Sequence, residues 1–441
     1  MLRKLIVLMV VGVAVSPARA DVKPAAIFGD HMILQRDKPV PVWGKAAAGE
    51  TVSVSFNGQT KTVDADKEGN WLLKLDPLKA GGPFDLTIAG KSSKVAIKDV
   101  LVGEVWLCSG QSNMAMSLKG AEQAAKDIPA AELPKIRYSR GAGAWQVCDP
   151  KTAGGFSATA FYFGRALHKE LDVPIGLINR SVGGTSARLW TSQDAIAANP
   201  ELKELASTPK VGNLYETFIR PLVPFAIRGV IWYQGEADAG RSDEYRKLFP
   251  TMIRAWRKDF DQGDVPFLFV QLANIGAPPK TPQQEGWGPI RAAQASALAL
   301  PRTGMAVIID GDADLHPKKK HLAGERLALA ARGIAYGEKL TYSGPLVDSA
   351  KADGNKAILG FKHIGGGLVI KGDKPVGFAI AGTDKKFVWA DAKVEGDKIV
   401  VSSSEVPTPA FVRYGWSSNP QCNLYNKEGL PASPFEVEVG K

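Results

Sequence analysis

The residues that decide the fold of this 441-residue chain are 105–114, which read VWLCSGQSNM. The first four form an uninterrupted apolar run, and the next five are small or polar. Continuous apolar strands are typical of parallel sheets that helices cover on both faces. Ligands bind beyond the carboxyl ends of such strands, so the polar residues after Cys108 mark a candidate site.

Strand-like and helix-like patterns alternate along the chain after this segment. Further apolar runs occupy residues 175–179, 229–232, 267–272 and 305–309. Helical patterns occupy residues 157–171, 243–260, 288–300 and 321–336. Pro250 is expected to split the second helix or to cap its latter half. The alternation predicts a doubly wound α/β domain over residues 100–340 with a five-stranded parallel sheet.

The segments on either side of this domain have β-character. In residues 21–99 apolar and polar residues alternate over 52–56, and Asn57-Gly58 then supplies a hairpin turn. In residues 341–441 short apolar segments lie between Gly, Asp and Lys turns, at 357–361, 368–370, 378–380, 387–390 and 398–402. We therefore expect a β-sandwich-like domain on each side of the α/β domain.

The first twenty residues have the pattern of a signal peptide. Arg3 and Lys4 precede an apolar run over residues 5–15, and Ala18-Arg19-Ala20 forms an A-x-A cleavage site. We expect cleavage near Asp21 and a periplasmic or secreted protein. The alternative is an uncleaved anchor.

Composition excludes several classes of protein. With 45% hydrophobic and 23% charged residues, the chain is neither disordered nor a multi-span membrane protein. The net charge is +10, but the basic residues are scattered and no run exceeds Lys318–Lys320. We expect a solvated basic surface, without nucleic-acid binding or stable membrane association. Cys108, Cys148 and Cys422 allow one disulfide at most, and their pairing stays open, as does the oligomeric state.

Polar residues follow four of the five predicted strands. They are Ser112, the pair Gly183-Gly184, Gln234, and the aspartates and histidine of residues 310–316. Acyl transfer needs a nucleophile, a base, a group that orients the base, and donors for the oxyanion. Ser112 is a candidate nucleophile, or alternatively an N-cap serine. Among five histidines, only His316 follows a predicted strand of the α/β domain.

The remaining roles have more than one candidate. Asp310, Asp312 and Asp314 precede the histidine, and one of them is expected to orient its ring. The Gly183-Gly184 pair, the Gln234 side chain and the Ser112 N–H are candidate oxyanion donors, or else a plain turn and a rim residue. Glu236, Arg188 and Arg291 are candidate rim residues for a polar substrate, or solvated side chains without that role.

At these positions the sequence resembles the sialate O-acetylesterase family of the SGNH hydrolases. The strongest similarity is WLCSGQSNM at residues 106–114, followed by PIGLIN at 174–179, RGVIWYQGE at 228–236 and DLHP at 314–317. NLYN at residues 423–426 and GLPASPF at 429–435 resemble the family's C-terminal end. The similarity covers nearly the whole chain after the signal peptide.

The resemblance implies an SGNH esterase domain with Ser112 as nucleophile and His316 as base, and catalysis without a metal or other cofactor. It also implies oxyanion donors from Gly183 or Gly184 and from Gln234. Many SGNH enzymes have Asp three residues before the histidine, where this chain has Ala313. Asp314 is therefore the expected partner, with Asp312 or a Ser–His dyad as alternatives.

Two further departures from the family pattern would border the substrate. Val182 replaces a frequent Trp, and Ala237-Asp238 replaces a frequent Ser-Asn. They leave the sugar undecided between 9-O-acetylated sialic acid and acetylated xylan or xyloglucan. An alternative of another class is a non-catalytic carbohydrate-binding protein that uses Trp389 or Trp416, although both are expected in a core. A lipid esterase is disfavoured, because no amphipathic lid is visible.

Overall fold

The structure, a computed structural model, describes residues 21–141 and 143–440. The N-terminal strands are β1 (Lys23–Pro24), β2 (Ile33–Gln35), β3 (Val40–Lys45), β4 (Thr51–Phe56), β5 (Gln59–Asp64), β6 (Asn70–Leu75), β7 (Gly81–Ala89) and β8 (Lys94–Gly110). Strands β1, β3 and β6 form one sheet, and β4 pairs with β5 and β7. The predicted Asn57-Gly58 hairpin joins β4 to β5, with positive φ at both residues.

One long strand joins this N-terminal unit to the central sheet. The first part of β8 pairs with β7 and β2, and the part from Glu104 to Gly110 lies in the central sheet. Asp99, with φ of 53°, marks an irregularity in the first part. The predicted boundary between residues 99 and 100 therefore falls inside a continuous strand.

The central sheet has six parallel strands, one more than predicted, in the part of the chain described. Its further strands are β9 (Leu133–Ser139), β10 (Trp145–Cys148), β11 (Ile175–Ser181), β12 (Gly229–Tyr233), β13 (Phe267–Val270) and β14 (Thr303–Ala306). The order is β10-β9-β11-β8-β12-β13-β14, and only β10 is antiparallel to its neighbour. Strand β9 escaped prediction because Lys135 and Arg137 interrupt its apolar pattern.

Helices cover both faces of this sheet, as predicted. They are α1 (Ser112–Ala115), α2 (Ala124–Asp127), α3 (Ala158–Leu171), α4 (Gln193–Ala198), α5 (Ser242–Phe260), α6 (Gly288–Ser296) and α7 (Lys320–Ala335). Side chains alternate along β8: Trp106 and Cys108 share a core with α3 and α7, whereas Val105 and Leu107 share a core with α5 and α6. Pro250 lies inside α5, which continues through it.

The C-terminal unit is sandwich-like. Its strands are β15 (Leu346–Asp353), β16 (Lys356–Lys362), β17 (Leu368–Ile370), β18 (Phe378–Ala381), β19 (Val388–Trp389), β20 (Asp391–Glu395), β21 (Lys398–Ser402), β22 (Phe411–Tyr414), β23 (Leu424–Asn426) and β24 (Phe435–Glu438). Two four-stranded sheets, β15-β16-β21-β20 and β19-β18-β22-β24, share one apolar core. The unit is anchored to the α/β domain by buried contacts such as Gln271 Nε2 to Ser433 Oγ at 2.9 Å.

Three further sequence-based questions concern the cysteines, the first twenty residues and membrane-spanning helices. Cys108, Cys148 and Cys422 are all free thiols, so the open disulfide question is answered. The predicted signal peptide, residues 1–20, lies outside the described residues. Within the described ranges, no helix is long and apolar enough to span a bilayer.

Candidate active site

The nucleophile turn depends on a glycine at the end of β8. Gly110 has φ of 133°, and a Cβ there would lie 2.1 Å from the carbonyl oxygen of Tyr233. That same carbonyl accepts a hydrogen bond from the N–H of Gln111 at 3.0 Å. Ser112 follows as the first residue of α1. The turn therefore places the Ser112 hydroxyl at the carboxyl edge of the sheet, where the strand-end rule predicts a ligand.

His316 reaches this hydroxyl from the loop after β14. Its Nε2 lies 2.9 Å from Ser112 Oγ, which is hydrogen-bond distance. Ser112 is partly accessible and His316 is exposed, so a substrate can approach both. A serine hydroxyl bonded to an imidazole nitrogen is the arrangement that activates an oxygen nucleophile. The two residues predicted as nucleophile and base are thus in contact.

The three aspartates before His316 do not contact its ring. Asp314 Oδ1 accepts the backbone N–H of His316 at 2.9 Å. Asp312 accepts the backbone N–H groups of Lys318 and Lys319, whereas Asp310 forms a two-bond ion pair with Arg326. The expected hydrogen bond from Asp314 to the ring is therefore absent here, because its carboxylate binds the turn backbone. Asp314 therefore contacts the main chain of the histidine loop and not the ring.

Backbone N–H groups are available for an oxyanion. A Cβ at Gly183 would lie 3.6 Å from Ser112 Cβ, so this glycine is next to the nucleophile. Gly184 has φ of 69° and open space on its Cβ side. Within the described residues, the N–H groups of Ser112, Gly183 and Gly184 donate to no protein acceptor. Gly183 thus lies next to the nucleophile, and the N–H groups of both glycines are free donors.

The Gln234 side chain is not a free donor, contrary to prediction. It is fully buried, and its Nε2 donates to Thr185 O at 3.1 Å and to Asp238 Oδ2 at 2.7 Å. Both amide hydrogens are therefore engaged inside the protein. Its Oε1 is buried without a partner among the described residues. Gln234 supports the loop after β11 and does not point a donor at the substrate.

Asp238 organises that loop from within. Besides Gln234, its carboxylate accepts from Ser186 Oγ at 2.5 Å, from the N–H of Ala187 at 2.8 Å and from Arg241 at 2.9 Å. Its exposed fraction is 1%, so it does not border the substrate as the resemblance suggested. Four donors on one buried carboxylate fix the segment that follows the glycine pair.

A buried polar chain lies behind the nucleophile. Asn113 Oδ1 accepts from Lys320 Nζ at 2.5 Å, and Asn113 Nδ2 donates to Leu315 O at 2.9 Å and to Glu236 Oε1. Asn113 and Lys320 are each 1% exposed. Because Leu315 directly precedes the candidate base, these hydrogen bonds connect the nucleophile turn to the histidine loop. Lys320 therefore departs from the expected solvated basic run.

Comparison with known proteins identifies the family of this chain. Residues 102–330 match the family described as carbohydrate esterase, sialic acid-specific acetylesterase. The chain is 30% identical to the sialate O-acetylesterases of Homo sapiens and Mus musculus, over 93% and 98% of its length and 91% and 97% of theirs. This chain belongs to the sialate O-acetylesterase family.

A solved structure extends the comparison to the fold. A carbohydrate acetylesterase from Xanthomonas citri is 40% identical, with a TM-score of 0.88 over 95% of this chain and 100% of that one. The likeness includes both β-units as well as the α/β domain, since it covers nearly all of both chains. The fold of this family member is therefore shared with a carbohydrate acetylesterase.

Burial shifts the pKa values of Lys320 and Glu236, the two ionisable groups that are hydrogen-bonded to Asn113. It lowers the pKa of Lys320 from 10.5 to about 7, against the opposing effect of Glu236. Burial likewise raises the pKa of the Glu236 carboxyl, whose Oε2 has no partner among the described residues. A desolvated lysine and a desolvated carboxyl thus flank Asn113.

Of the two predicted rim arginines, one is fully engaged inside the protein and the other is paired with a carboxylate. Arg291 is completely buried and donates to the carbonyls of residues 272, 273, 417 and 418, so it is structural. Arg188 donates from Nη2 to both carboxylate oxygens of Glu244, at 2.9 and 3.1 Å. Glu236 faces inward to Asn113, as described above. The exposed Leu315, 43% accessible beside the candidate base, is a rim residue that was not predicted.

Proposed function

We propose that this protein is an exported carbohydrate O-acetylesterase of SGNH type, with Ser112 as nucleophile and His316 as general base. The observation that carries the proposal is the 2.9 Å hydrogen bond between Ser112 Oγ and His316 Nε2. Membership of a sialate O-acetylesterase family supports the acetyl ester as the reacting group. The signal-peptide pattern of residues 1–20 supports export.

The reaction begins with attack of Ser112 Oγ on the acetyl carbonyl carbon, as His316 Nε2 takes the hydroxyl proton. The N–H groups of Ser112 and Gly183 stabilise the resulting oxyanion. One such donor is typically worth about 3–4 kcal/mol in the transition state. Collapse of the intermediate breaks the ester bond, and His316 gives its proton to the departing sugar oxygen. Water, activated by His316, then hydrolyses the acetyl-serine and releases acetate.

Asp314 contributes by holding the histidine loop. Its bond to the His316 N–H leaves the imidazole oriented by the backbone and by Ser112. The sequence left three alternatives open, with Asp314, Asp312 or no carboxylate at the imidazole ring. This arrangement supports the last, a Ser–His dyad, with Asp314 as a positioning carboxylate.

The two candidate classes of substrate, acetylated sialic acid and acetylated plant polysaccharide, differ in charge. Sialic acid carries a carboxylate, and an arginine is the usual partner for such a group. Of the two candidate rim arginines, Arg291 is engaged by buried carbonyls, and the charge of Arg188 is already offset by its ion pair with Glu244. This observation favours a neutral acetylated sugar, such as acetylated xylan or xyloglucan, over 9-O-acetylated sialic acid.

The test is acetate release by the chain from residue 21 onward. We expect turnover of 4-nitrophenyl acetate and of acetylated xylan, with 9-O-acetylated sialic acid as the competing substrate. Ser112→Ala should abolish all turnover, whereas Ser117→Ala, five residues further along, should retain it. Unchanged activity in Ser112→Ala would refute the mechanism. Faster acetate release from sialic acid than from xylan would refute the neutral-sugar assignment.

A further inference from the structure

A cavity of about 360 Å³ lies between the α/β domain and the C-terminal unit. One wall is the loop after β13, residues 278–284, and the other is built from β18, β19, β20 and the segment after β22. Its volume falls at the lower end of the range for small-molecule sites. Its side chains include Trp389, Trp416, Gln284, Gln421, Asp391 and Lys374. We call it the Trp389 cleft.

The cleft presents an aromatic side chain to solvent. Trp389, at the end of β19, is 48% exposed, which is the largest exposed fraction among the large hydrophobic residues described. The expectation that it belongs to a core is therefore wrong. Trp416 is partly buried, with the guanidinium of Arg413 at 5.3 Å from its ring. A large aromatic surface open to water inside a concavity is a common feature of binding sites.

Unpartnered polar atoms accompany this aromatic surface. Ser417 lines the cleft and is 4% exposed, and its Oγ has no hydrogen-bond partner in the described residues. The same is true of Trp416 Nε1. An unsatisfied buried donor typically costs about 1–3 kcal/mol. Both atoms have almost no solvent-exposed area, so a ligand reaches them only if neighbouring side chains move.

Chain topology places the cleft on the catalytic edge of the sheet. The loop after β13 leaves the same edge as the loops that carry Ser112 and His316. Asn274 pairs with Ala313, three residues before the candidate base. The first cleft residue, Pro278, follows four residues after Asn274. Since a residue spans at most about 3.6 Å, the cleft begins within about 30 Å of His316.

We propose that the Trp389 cleft binds a glycosyl unit of an oligosaccharide or polysaccharide while another unit presents its acetyl group to Ser112. A pyranose ring has a face of C–H groups, which matches the indole of Trp389, and a rim of hydroxyls, which matches Gln284 and Gln421. The inference rests on the proposed carbohydrate substrate and narrows it. Polymers engage both sites, and a single sugar engages only one.

The first experiment measures binding without catalysis. Isothermal titration calorimetry of the Ser112→Ala protein uses xylohexaose, a xyloglucan oligosaccharide and N-acetylneuraminic acid as probes. We expect a neutral oligosaccharide to bind and Trp389→Ala, in the same background, to weaken binding at least about tenfold. Val394→Ala, an exposed apolar residue of the same unit outside the cleft, should leave binding unchanged. No binding by any probe, or equal binding in Trp389→Ala, would overturn the proposal.

The second experiment separates this proposal from the catalytic one. In the otherwise unaltered enzyme, Trp389→Ala should raise KM for acetylated xylan and leave kcat and KM for 4-nitrophenyl acetate unchanged. Equal KM values for the polymer in both proteins would overturn the cleft while the esterase mechanism stands. The effect of Ser112→Ala on turnover of the small ester does not depend on Trp389. Failure of the catalytic proposal and failure of the cleft proposal therefore give different results.

Discussion

Lys320→Met tests whether a buried lysine supports the catalytic loops at a cost in stability. The side chain is 1% exposed, and its pKa falls from 10.5 to about 7 in the folded protein. Between pH 7 and pH 10.5 the Lys320 amine binds more protons in the unfolded chain than in the folded protein. The stability of the wild-type protein should therefore rise with pH across this window. At about 1.4 kcal/mol per pH unit, the cost of burying the charged amine is on the order of 5 kcal/mol at pH 6 and 2 kcal/mol at pH 9.

Methionine removes that cost but leaves Asn113 Oδ1 without its donor. An unsatisfied buried acceptor costs about 1–3 kcal/mol, independently of pH in this range. The variant should therefore be more stable than wild type by roughly 2–4 kcal/mol at pH 6 and about equal to it at pH 9. Its kcat should fall, because Asn113 also holds Leu315 next to the base, and a small displacement can cost about a hundredfold.

The assay is urea unfolding of both proteins at pH 6, 7.5 and 9, with 4-nitrophenyl acetate kinetics at each pH. Lys319→Met is the matched control. Lys319 forms a partly exposed ion pair with Asp312 at 3.1 Å. The pair raises the pKa of Lys319 and lowers that of Asp312, so both groups stay ionised throughout this range. Its stability difference from wild type should not change with pH. The reasoning would be refuted if the difference in unfolding free energy between Lys320→Met and wild type did not change with pH. It would also be refuted if the variant gained stability relative to wild type as the pH rose.

The remaining predictions concern two buried carboxylates. Asp238→Asn should lower the melting temperature and reduce kcat at least about tenfold, because several donors lose their charged acceptor. As a control, Asp243→Asn, at an exposed neighbouring residue, should change neither quantity. A wild-type kcat in Asp238→Asn would contradict the supporting role of this carboxylate. Glu104→Gln should lower stability by about 3 kcal/mol, since Glu104 is buried between Arg36 and Arg228. Its kcat should not change, because the site lies about 20 Å along β8, and thermal melts with ester kinetics check both points.

The parallel sheet was predictable because its strands are buried on both faces. Four of the central strands appear as apolar runs that need no periodicity to be recognised. Strand β9 lies one position from the sheet edge, and Arg137 within it pairs with Asp99 from the N-terminal unit. A partner 38 residues away carries no local signal, so this strand could not be recognised from its own residues.

The site was predictable in position and less so in role. Strand ends and a scarcity of histidines selected His316 and made Ser112 a candidate, and the family resemblance then favoured a nucleophile over an N-cap serine. The structure brings the two residues together. Gln234 lies where expected, but the direction of its amide depends on a buried carboxylate that the sequence does not distinguish from a surface one. Hydrogen-bond direction is a tertiary property, and residue type alone does not determine it.

Lys320 offered a signal that was overlooked. It lies at helical spacing with the buried Ala323 and Leu327, on the inward face of α7. The two lysines before it made the run look like a solvated segment. Trp389 shows the opposite case, because an aromatic residue in a strand pattern is ordinarily buried and only the tertiary structure shows that this one lies in a cleft.

The most direct test of the Ser112–His316 mechanism is covalent labelling with diethyl 4-nitrophenyl phosphate, followed by peptide mass spectrometry. An activated serine displaces nitrophenolate and keeps the diethylphosphoryl group. We predict a single adduct on Ser112, formed in step with the loss of esterase activity and much more slowly in His316→Ala. Full inactivation with the adduct on another residue, or labelling of Ser112 at the same rate in His316→Ala, would contradict the account.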